Sequence, residues 1–374
     1  MNFHSRAIIH LNNLHHNYQE ISKIAGKNTK IIPVIKADAY GHGITRIAKE
    51  LSIYENVAYL GIAHIKEGVM LRKKGVKKPI LAMSCVDSFD IETILKADIT
   101  PVVHSLELLE RIKDYAKASS IKINIHLKFD TGMARLGIRE EETENALSIC
   151  KANIDNINVV GLMSHFSDSE SDLVWTKRQL ERFKKVIKLF RDGGIEPEFT
   201  HIANTGAILS LKESHLNCVR PGLALYGYLP DEKIKNKIDL KPVLEIQSQL
   251  INIHMLRKGE GISYGRTFKA ERDMKVGVVA FGYADGLFRA LSNGFKCIIN
   301  DRIVRSIGTI CMDMFMCDLT GIQANVSDNV IILGESENHS ITAYELAKQA
   351  DTIPYEILTN IGKSIRVKRV YRKQ

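Results

Sequence analysis

Eight short apolar runs, rich in β-branched residues, follow one another between residues 30 and 228 at intervals of roughly 20 to 40 residues. They are KIIPVIK (30–36), VAYLGIA (57–63), PILAMS (79–84), ITPVV (99–103), IKINIHLKFD (121–130), INVVGLMSHF (157–166), EFTHIA (198–203) and NCVRPGLALYGY (217–228). The stretches between them, such as 44–51, 106–118 and 175–190, space apolar residues three or four apart, the period of a helix with one buried face. Apolar strands without alternation are buried on both sides, as a parallel sheet covered by crossover helices requires. Eight such units predict an α/β fold whose N-terminal part is a (β/α)8 TIM barrel.

After Tyr228 the texture changes. Residues 229–242 (LPDEKIKNKIDLKP) read as a polar linker. Beyond it VLEIQSQLINIHML, MKVGVVAFG, FKCIINDRIVRSIG, MFMCDL and NVIILG read as short strands punctuated by Gly and Asp turns. One helix, ITAYELAKQA from Ile341, interrupts them, and RAIIHL from Arg6 is a further strand. The expected division is a barrel over 10–230 and a C-terminal mainly β domain over 231–374, joined by the N-terminal strand within 1–9.

With 45% hydrophobic and 25% charged residues, neither disorder nor a collagen-like chain is compatible with the composition. A net charge of +9 admits nucleic-acid or membrane-surface binding. Basic residues concentrate, however, only in RKKGVKK (72–78) and in RVKRVYRK from Arg366, both expected to be solvated faces, so no nucleic-acid or membrane partner is expected. The six cysteines form no CxxC pair and no metal-ligand spacing, so no metal is expected, and scattered thiols suit a reducing compartment. No leader-like apolar segment or membrane-spanning run is evident, and the expectation is a soluble cytoplasmic protein.

In such a barrel the functional residues sit where strands end at the C-terminal mouth. The first run ends at Lys36, the fifth at Lys128 and Asp130, the sixth at His165, and the seventh at His201 and Asn204, while the eighth carries Arg220. These are too many polar groups for an apolar plug. Lys36, directly after IIPVI and before ADAYGHG, is the informative one. Burial lowers a lysine's pKa and frees the amine, which can form a Schiff base with the aldehyde of pyridoxal phosphate. Taken alone, the residues leave two readings open: a cofactor lysine, or a lysine whose stem lies along apolar surface with its charge in water.

The motif VIKADAYGHG (34–43) resembles the cofactor-lysine signature of the alanine racemases, barrel-type pyridoxal phosphate enzymes. KFDTGMARLG (128–137), GLMSHF (161–166), HIANTGA (201–207), RPGLALYG (220–227), GISYGRTF (261–268), FGYADG (281–286) and GTICMDM (308–314) resemble further motifs of that family, in its order. Several long motifs in order are far more specific than one short pattern. The resemblance implies that Lys36 binds the cofactor aldehyde and is one acid/base, and that Tyr264 is the other, contributed across the interface of a homodimer. It implies a phosphate site of Tyr40, Thr205, Gly222 and Tyr355, with Asn204 also at the cofactor. Arg220 would face the pyridine nitrogen and His165 would connect it towards Tyr264. Arg135 would meet the cofactor oxygen or the substrate carboxylate, Met312 would offer its backbone N–H from the partner, and Tyr283 is in a gate position. Lys128 aligns with a lysine that is carbamylated in some relatives; an ordinary ammonium paired with Asp130 is the alternative.

The implied chemistry is coherent. Racemisation removes the α-proton on one face and returns one on the other, so it needs two bases on opposite faces. An arginine opposite the pyridine nitrogen keeps its proton, which leaves that nitrogen unprotonated and disfavours transamination and decarboxylation. The expected activity is interconversion of L- and D-alanine, supplying D-alanine for peptidoglycan. The rivals are a racemase of serine or a broader range of small amino acids and a non-catalytic pyridoxal phosphate carrier. The sequence departs from the family in HSRAIIHLNNLHHN near the N-terminus, where an acidic pair is common, and at Thr205, where serine is frequent but the hydroxyl is kept.

Overall fold

The computed structural model describes residues 4–84, 91–231 and 238–373, so Cys85 and the middle of the polar linker lie outside the described residues. The chain opens on strand β1 (Ser5–His10) and helix α1 (Leu11–Ala25). Leu11, Leu14, Tyr18, Ile21 and Ala25, three or four apart, give α1 one buried face. Asn17 on that face donates to the carbonyls of Leu225 and Lys241 at 3.1 and 2.8 Å.

All eight apolar runs contain strands: β2 (Lys30–Ile31), β3 (Leu60–Ile62), β4 (Ile80–Ala82), β5 (Ile99–Val103), β6 (Ile123–Lys128), β7 (Ile157–Met163), β8 (Phe199–His201) and β9 (Cys218–Val219). Strands β3 to β8 pair in order and in parallel. β2 pairs in parallel with β9, and the isolated parallel bridges Ile31–Val57 and Val34–Gly61 join the first apolar run to the second. The amide of Arg220 donates to the Ala203 carbonyl at 2.9 Å, which joins the eighth strand to the seventh and closes the ring. Around it lie α2 (Lys36–Tyr40), α3 (Ile44–Leu51), α4 (Ile65–Lys73), α5 (Ile91–Lys96), α6 (Leu106–Ala118), α7 (Thr143–Ala152), α8 (Leu173–Asp192) and α9 (Thr205–Ser210). Side-chain caps mark several starts: Ser105 accepts from the Leu108 amide at 3.2 Å and Asp172 from that of Trp175 at 2.9 Å.

The C-terminal part comprises β10 (Leu244–Leu256), β11 (Gly261–Ile262), β12 (Phe268–Lys269), β13 (Met274–Val279), β14 (Lys296–Ile299), β15 (Arg302–Ile307), β16 (Phe315–Asp318), β17 (Asn329–Glu335), β18 (Ser340–Ile341), α10 (Ala343–Gln349), α11 (Pro354–Asn360) and β19 (Val367–Arg372). The order β17-β14-β15-β16-β13-β10, with β10 pairing back to β17, closes a second, antiparallel ring. The long β10 serves both neighbours because it is irregular between Ile246 and Gln247 and between Leu250 and Asn252. β1 adds to β10 antiparallel, and β19 adds to β1 in parallel. The terminal basic stretch, expected to be a solvated face, is therefore a strand in register with the chain start. In the other basic stretch, Arg72 donates to the carbonyls of Val76, Lys78, Ala97 and Asp98, so its charge fastens two turns.

Candidate active site

The mouth of the parallel barrel holds a cavity of about 140 Å³. Ten residues singled out from the sequence line it: Lys36, Tyr40, Lys128, Arg135, His165, Asn204, Thr205, Arg220, Gly222 and Tyr355. Tyr355 reaches it from α11, so the second half of the chain completes the wall. Val34, Met83, Ser84, Met163 and Leu223 supply the rest.

Lys36 opens α2, and α2 is not a right-handed helix. Ala37, Asp38, Ala39 and Tyr40 all have φ between 53° and 55°, in the left-handed region. Each non-glycine residue there costs roughly 1–2 kcal/mol, so the surroundings must hold the turn. Glu67 in α4 does part of this: Oε1 accepts the Ala37 amide at 2.7 Å, and Oε2 accepts those of Ala63 and His64 at 2.9 and 3.1 Å. His42 Nδ1 lies 2.9 Å from the carbonyls of both Ala39 and Tyr40 and must carry the proton to donate to them. Gly41 is obligatory: at φ 86° a Cβ would overlap the Leu358 carbonyl oxygen in α11. Sequence reading missed Glu67, since an acidic residue in a helix's first turn carries no signal of what lies across the barrel mouth.

Arg220 is buried at the centre of a chain of bases. Nη1 donates to His201 Nδ1 at 2.7 Å, and Nη2 reaches His165 Nδ1 at 3.1 Å and the carbonyls of Ser164 and Ile202 at 2.7 and 3.0 Å. A guanidinium only donates, so both imidazoles present unprotonated Nδ1 and carry their hydrogen on Nε2. His201 Nε2 then donates to His126 Nδ1 at 2.8 Å. Burial first, and the Arg220 charge second, hold His165 and His201 well below the usual histidine range, so both are neutral at pH 7. Burial lowers Arg220 itself to about 10, which leaves it charged.

Lys128 is pushed down to about 8, by burial first and then by Arg220 and Arg135. Asp130 opposes that shift only from a distance. Its Oδ1 accepts the amides of Gly132, Met133 and Ala134, and Oδ2 pairs with Arg139 at 3.2 Å. Among the described residues there is no Lys128–Asp130 ion pair.

The donor set fits a small polyanion. Four of the lining residues are cations, Lys36, Lys128, Arg135 and Arg220, and none is a carboxylate. Where the resemblance places the phosphate, Gly222 donates to Thr205 Oγ1 at 3.0 Å, and a Cβ on Gly222 would lie 2.7 Å from Tyr40 Oη, so only glycine leaves the space. Tyr40 stacks on Tyr226, with centroids 4.8 Å apart, and lies 5.9 Å from the Tyr355 ring. Burial raises the pKa of both Tyr40 and Tyr355, so their hydroxyls remain neutral donors. The set accommodates pyridoxal 5'-phosphate: an amine for the aldehyde, hydroxyls and an amide for the phosphate, and a permanent cation among neutral imidazoles.

Family models of the alanine racemase N-terminal and C-terminal domains match residues 9–230 and 243–371. The chain belongs to the alanine racemase family. An alanine racemase of Thermodesulfovibrio yellowstonii is 40% identical over 99% of this chain and 98% of its own length, and one of Treponema denticola 41% identical over 98% of each. The crystal structure of alanine racemase from D-cycloserine-producing Streptomyces lavendulae superposes with a TM-score of 0.94 at 30% identity, covering 100% of this chain and 98% of that one. That of Bacillus anthracis alanine racemase with bound L-Ala-P superposes at 0.92 with 29% identity, covering 100% and 96%. The activity is alanine racemisation with pyridoxal phosphate as cofactor.

Three residues that the resemblance assigns to the site of a racemase are not among those lining the cavity. Tyr264, Met312 and Tyr283 lie together on the C-terminal part and are exposed, Tyr264 by 73%. Their loops brace one another. Thr309 Oγ1 donates to the Tyr264 carbonyl at 2.9 Å, Ser263 Oγ to the Thr309 carbonyl at 2.5 Å, and the amides of Tyr283 and Ala284 to the carbonyls of Cys311 and Met312 at 3.1 and 2.9 Å. Ser263 pays backbone strain, with φ 64° and ψ −177°, to turn Tyr264 outward. A separate apolar cluster around Ile262, Met274, Val276, Val278, Ile307 and Met316 supports this rim. Cys311 is within 3.5 Å of Ser263 Oγ in the same rim, consistent with packing there.

Proposed function

We propose that the chain works as a homodimer in which each cavity is completed by Tyr264 and Met312 of the partner subunit. The observation that carries this reading is the division of the site residues: one base lines the cavity with the anion-binding set, and the other is exposed on a braced rim. Tyr264, Tyr283 and Met312 stand exposed together beside the strained Ser263, as side chains that a partner covers do. A domain division at residues 230 and 231 then gives the barrel most of the cofactor site, with Tyr355 added from the β domain, and gives the β domain the second base.

Bound pyridoxal phosphate supplies an aldehyde that captures amines and a ring that accepts the negative charge left at Cα when a proton departs. Lys36 Nζ holds the cofactor and takes or returns the α-proton on one face of the substrate. Tyr264 Oη of the partner subunit does the same on the other face. Arg220, charged and keeping its proton, would stand at the cofactor's ring nitrogen and disfavour its protonation, and a less electron-withdrawing ring would limit side reactions. Neutral His165, with hydrogen on Nε2, extends the Arg220 chain towards the partner's tyrosine. Tyr40, Thr205, Gly222 and Tyr355 bind the phosphate alongside Asn204, and Tyr283 stands at the gate. Arg135 receives the substrate carboxylate. Lys128, pushed down to about 8, adds through its neutral Nζ to the carbon of CO2 and releases one proton to solvent, and the resulting carbamate neutralises and orients Arg135.

Inside the cell the reaction supplies D-alanine for peptidoglycan. Five free cysteines among the described residues suit the reducing cytoplasm. The test is circular dichroism of L-alanine, with L-serine in parallel, incubated with the purified protein and pyridoxal phosphate. The L-alanine signal should decay to zero much faster than that of serine. Decay for serine alone would replace the substrate, and no decay despite bound cofactor would contradict the reading.

A further inference from the structure

The left-handed turn from Ala37 to Tyr40 is gripped by the last strand of the protein. Arg369, in β19, sends Nη2 to Asp38 Oδ2 at 2.8 Å and to the Gly41 carbonyl at 3.0 Å, across 331 and 328 residues of chain. Asp38 uses its other oxygen, Oδ1, to accept the Ile44 amide at 2.8 Å, which ties the turn to the start of α3. Arg369 Nε is buried without a partner among the described residues, so the side chain gives up a hydrogen bond to reach this turn. The grip is specific in place. Gly41 lies so close to α11 that an added Cβ would meet the Leu358 carbonyl oxygen at 2.2 Å, and Gly43 lies as closely against Tyr371 and Arg369 of β19.

We infer that Arg369 is a positioning residue for Lys36: through Asp38 and Gly41 it holds the strained turn that aims the lysine and Tyr40 into the cavity. Three supports then share the turn, Glu67 on Ala37, His42 on the carbonyls of Ala39 and Tyr40, and Arg369 at its far end. The first two come from the barrel itself. The third arrives only when β19 has added to β1, so the cofactor lysine is correctly placed only once the C-terminal strand is docked. Without Arg369, a turn of four left-handed non-glycine residues relaxes towards right-handed or extended backbone and withdraws Lys36.

This inference rests on Lys36 as the cofactor lysine, and the experiment separates the two. Cofactor-free full-length protein is titrated with pyridoxal phosphate, following the visible absorption of the lysine-bound cofactor, for wild type, Arg369→Met, Asp38→Ala, the double variant, and Arg372→Ala as a control on the same strand. Thermal unfolding of each cofactor-free protein is recorded alongside. Arg369→Met keeps the apolar stem and should bind cofactor at least tenfold more weakly, with a melting temperature within a few degrees of wild type. Asp38→Ala should lose a similar factor, the double variant no more than about twice the worse single, and Arg372→Ala nothing, as a shared contact requires. If Arg369→Met fails to fold, Asp38→Ala decides alone. Unchanged affinity in the variants, or losses that multiply in the double variant, would overturn the clamp while leaving Lys36 in place. Absence of the visible band in wild type would overturn the Lys36 assignment and the clamp with it.

Discussion

Arg220 donates to two imidazoles and cannot accept, and burial, with the Arg220 charge second, keeps both imidazoles neutral. In the proposed mechanism the α-proton is therefore carried by Lys36 and, from the other subunit, by Tyr264. Removing either should cost about 10²–10⁴-fold in turnover, the usual worth of a general acid–base. The two losses should differ in kind. Tyr264→Phe should slow α-proton exchange with deuterated solvent from L-alanine far more than from D-alanine, and equal slowing from both would count against one base per face. Lys36→Ala should abolish the visible absorption of the lysine-bound cofactor. For Lys128 the expectation concerns CO2. Activity in carbonate-free buffer should fall through a higher KM for alanine and return on adding bicarbonate, and Lys128→Met should show no such response. Insensitivity of the wild type would leave Lys128 a plain ammonium.

At the scale of elements, the turns matter more than the strands they join. The loop from β9 carries Gly222 within touching distance of Tyr40, so Gly222→Ala should weaken pyridoxal phosphate binding by tenfold or more while leaving far-ultraviolet circular dichroism unchanged. Binding as tight as wild type would remove Gly222 from the phosphate site. The strands themselves were legible in the sequence: each of the eight apolar runs contains a barrel strand, and α3 and α6 coincide with the periodic stretches 44–51 and 106–118. Lys36 was found because it follows such a run. The left-handed turn after it was not, since ADAY has the composition of a helix and what holds it the other way is the adjacent His42 together with tertiary contacts from Glu67 and Arg369. β19 was missed for a related reason: six residues dense in Lys and Arg look solvated until β1 offers an edge that Val367 and Val370 can pair with. The pair β11–β12, two residues on each side, is too short for periodicity to register.

For the whole molecule, four histidines held below their usual range, three of them fully buried, link stability to pH. His42 is lowered to about 4 and His126 to about 3, burial being the main cause in both, and His165 and His201 lie well below their usual range. Unfolding restores a pKa near 6.5, so below that pH the unfolded chain binds protons that the native protein does not, and stability falls as pH falls. The loss begins near pH 6.5 and continues towards pH 3 to 4, at about 1.5 kcal/mol per histidine between pH 6.5 and 5. Denaturant unfolding at pH 7.5 and pH 5.0 should show this decline, and His126→Gln should reduce it by about one proton's share. A flat profile would mean that these histidines are protonated in the native state. What the sequence does not encode locally is the separation of the site residues between two surfaces. Lys36 and Tyr264 are equally recognisable as motifs, yet one lines the cavity and the other stands exposed on the rim.

That separation makes subunit mixing the most direct measurement. Lys36→Ala and Tyr264→Phe proteins, each nearly inactive alone, are dissociated together in equal amounts and reassociated. A mixed dimer pairs both defects in one cavity and leaves the other intact, so the mixture should regain about a quarter of wild-type activity. Recovery of none, with mixed dimers shown to have formed, would contradict a site shared between subunits.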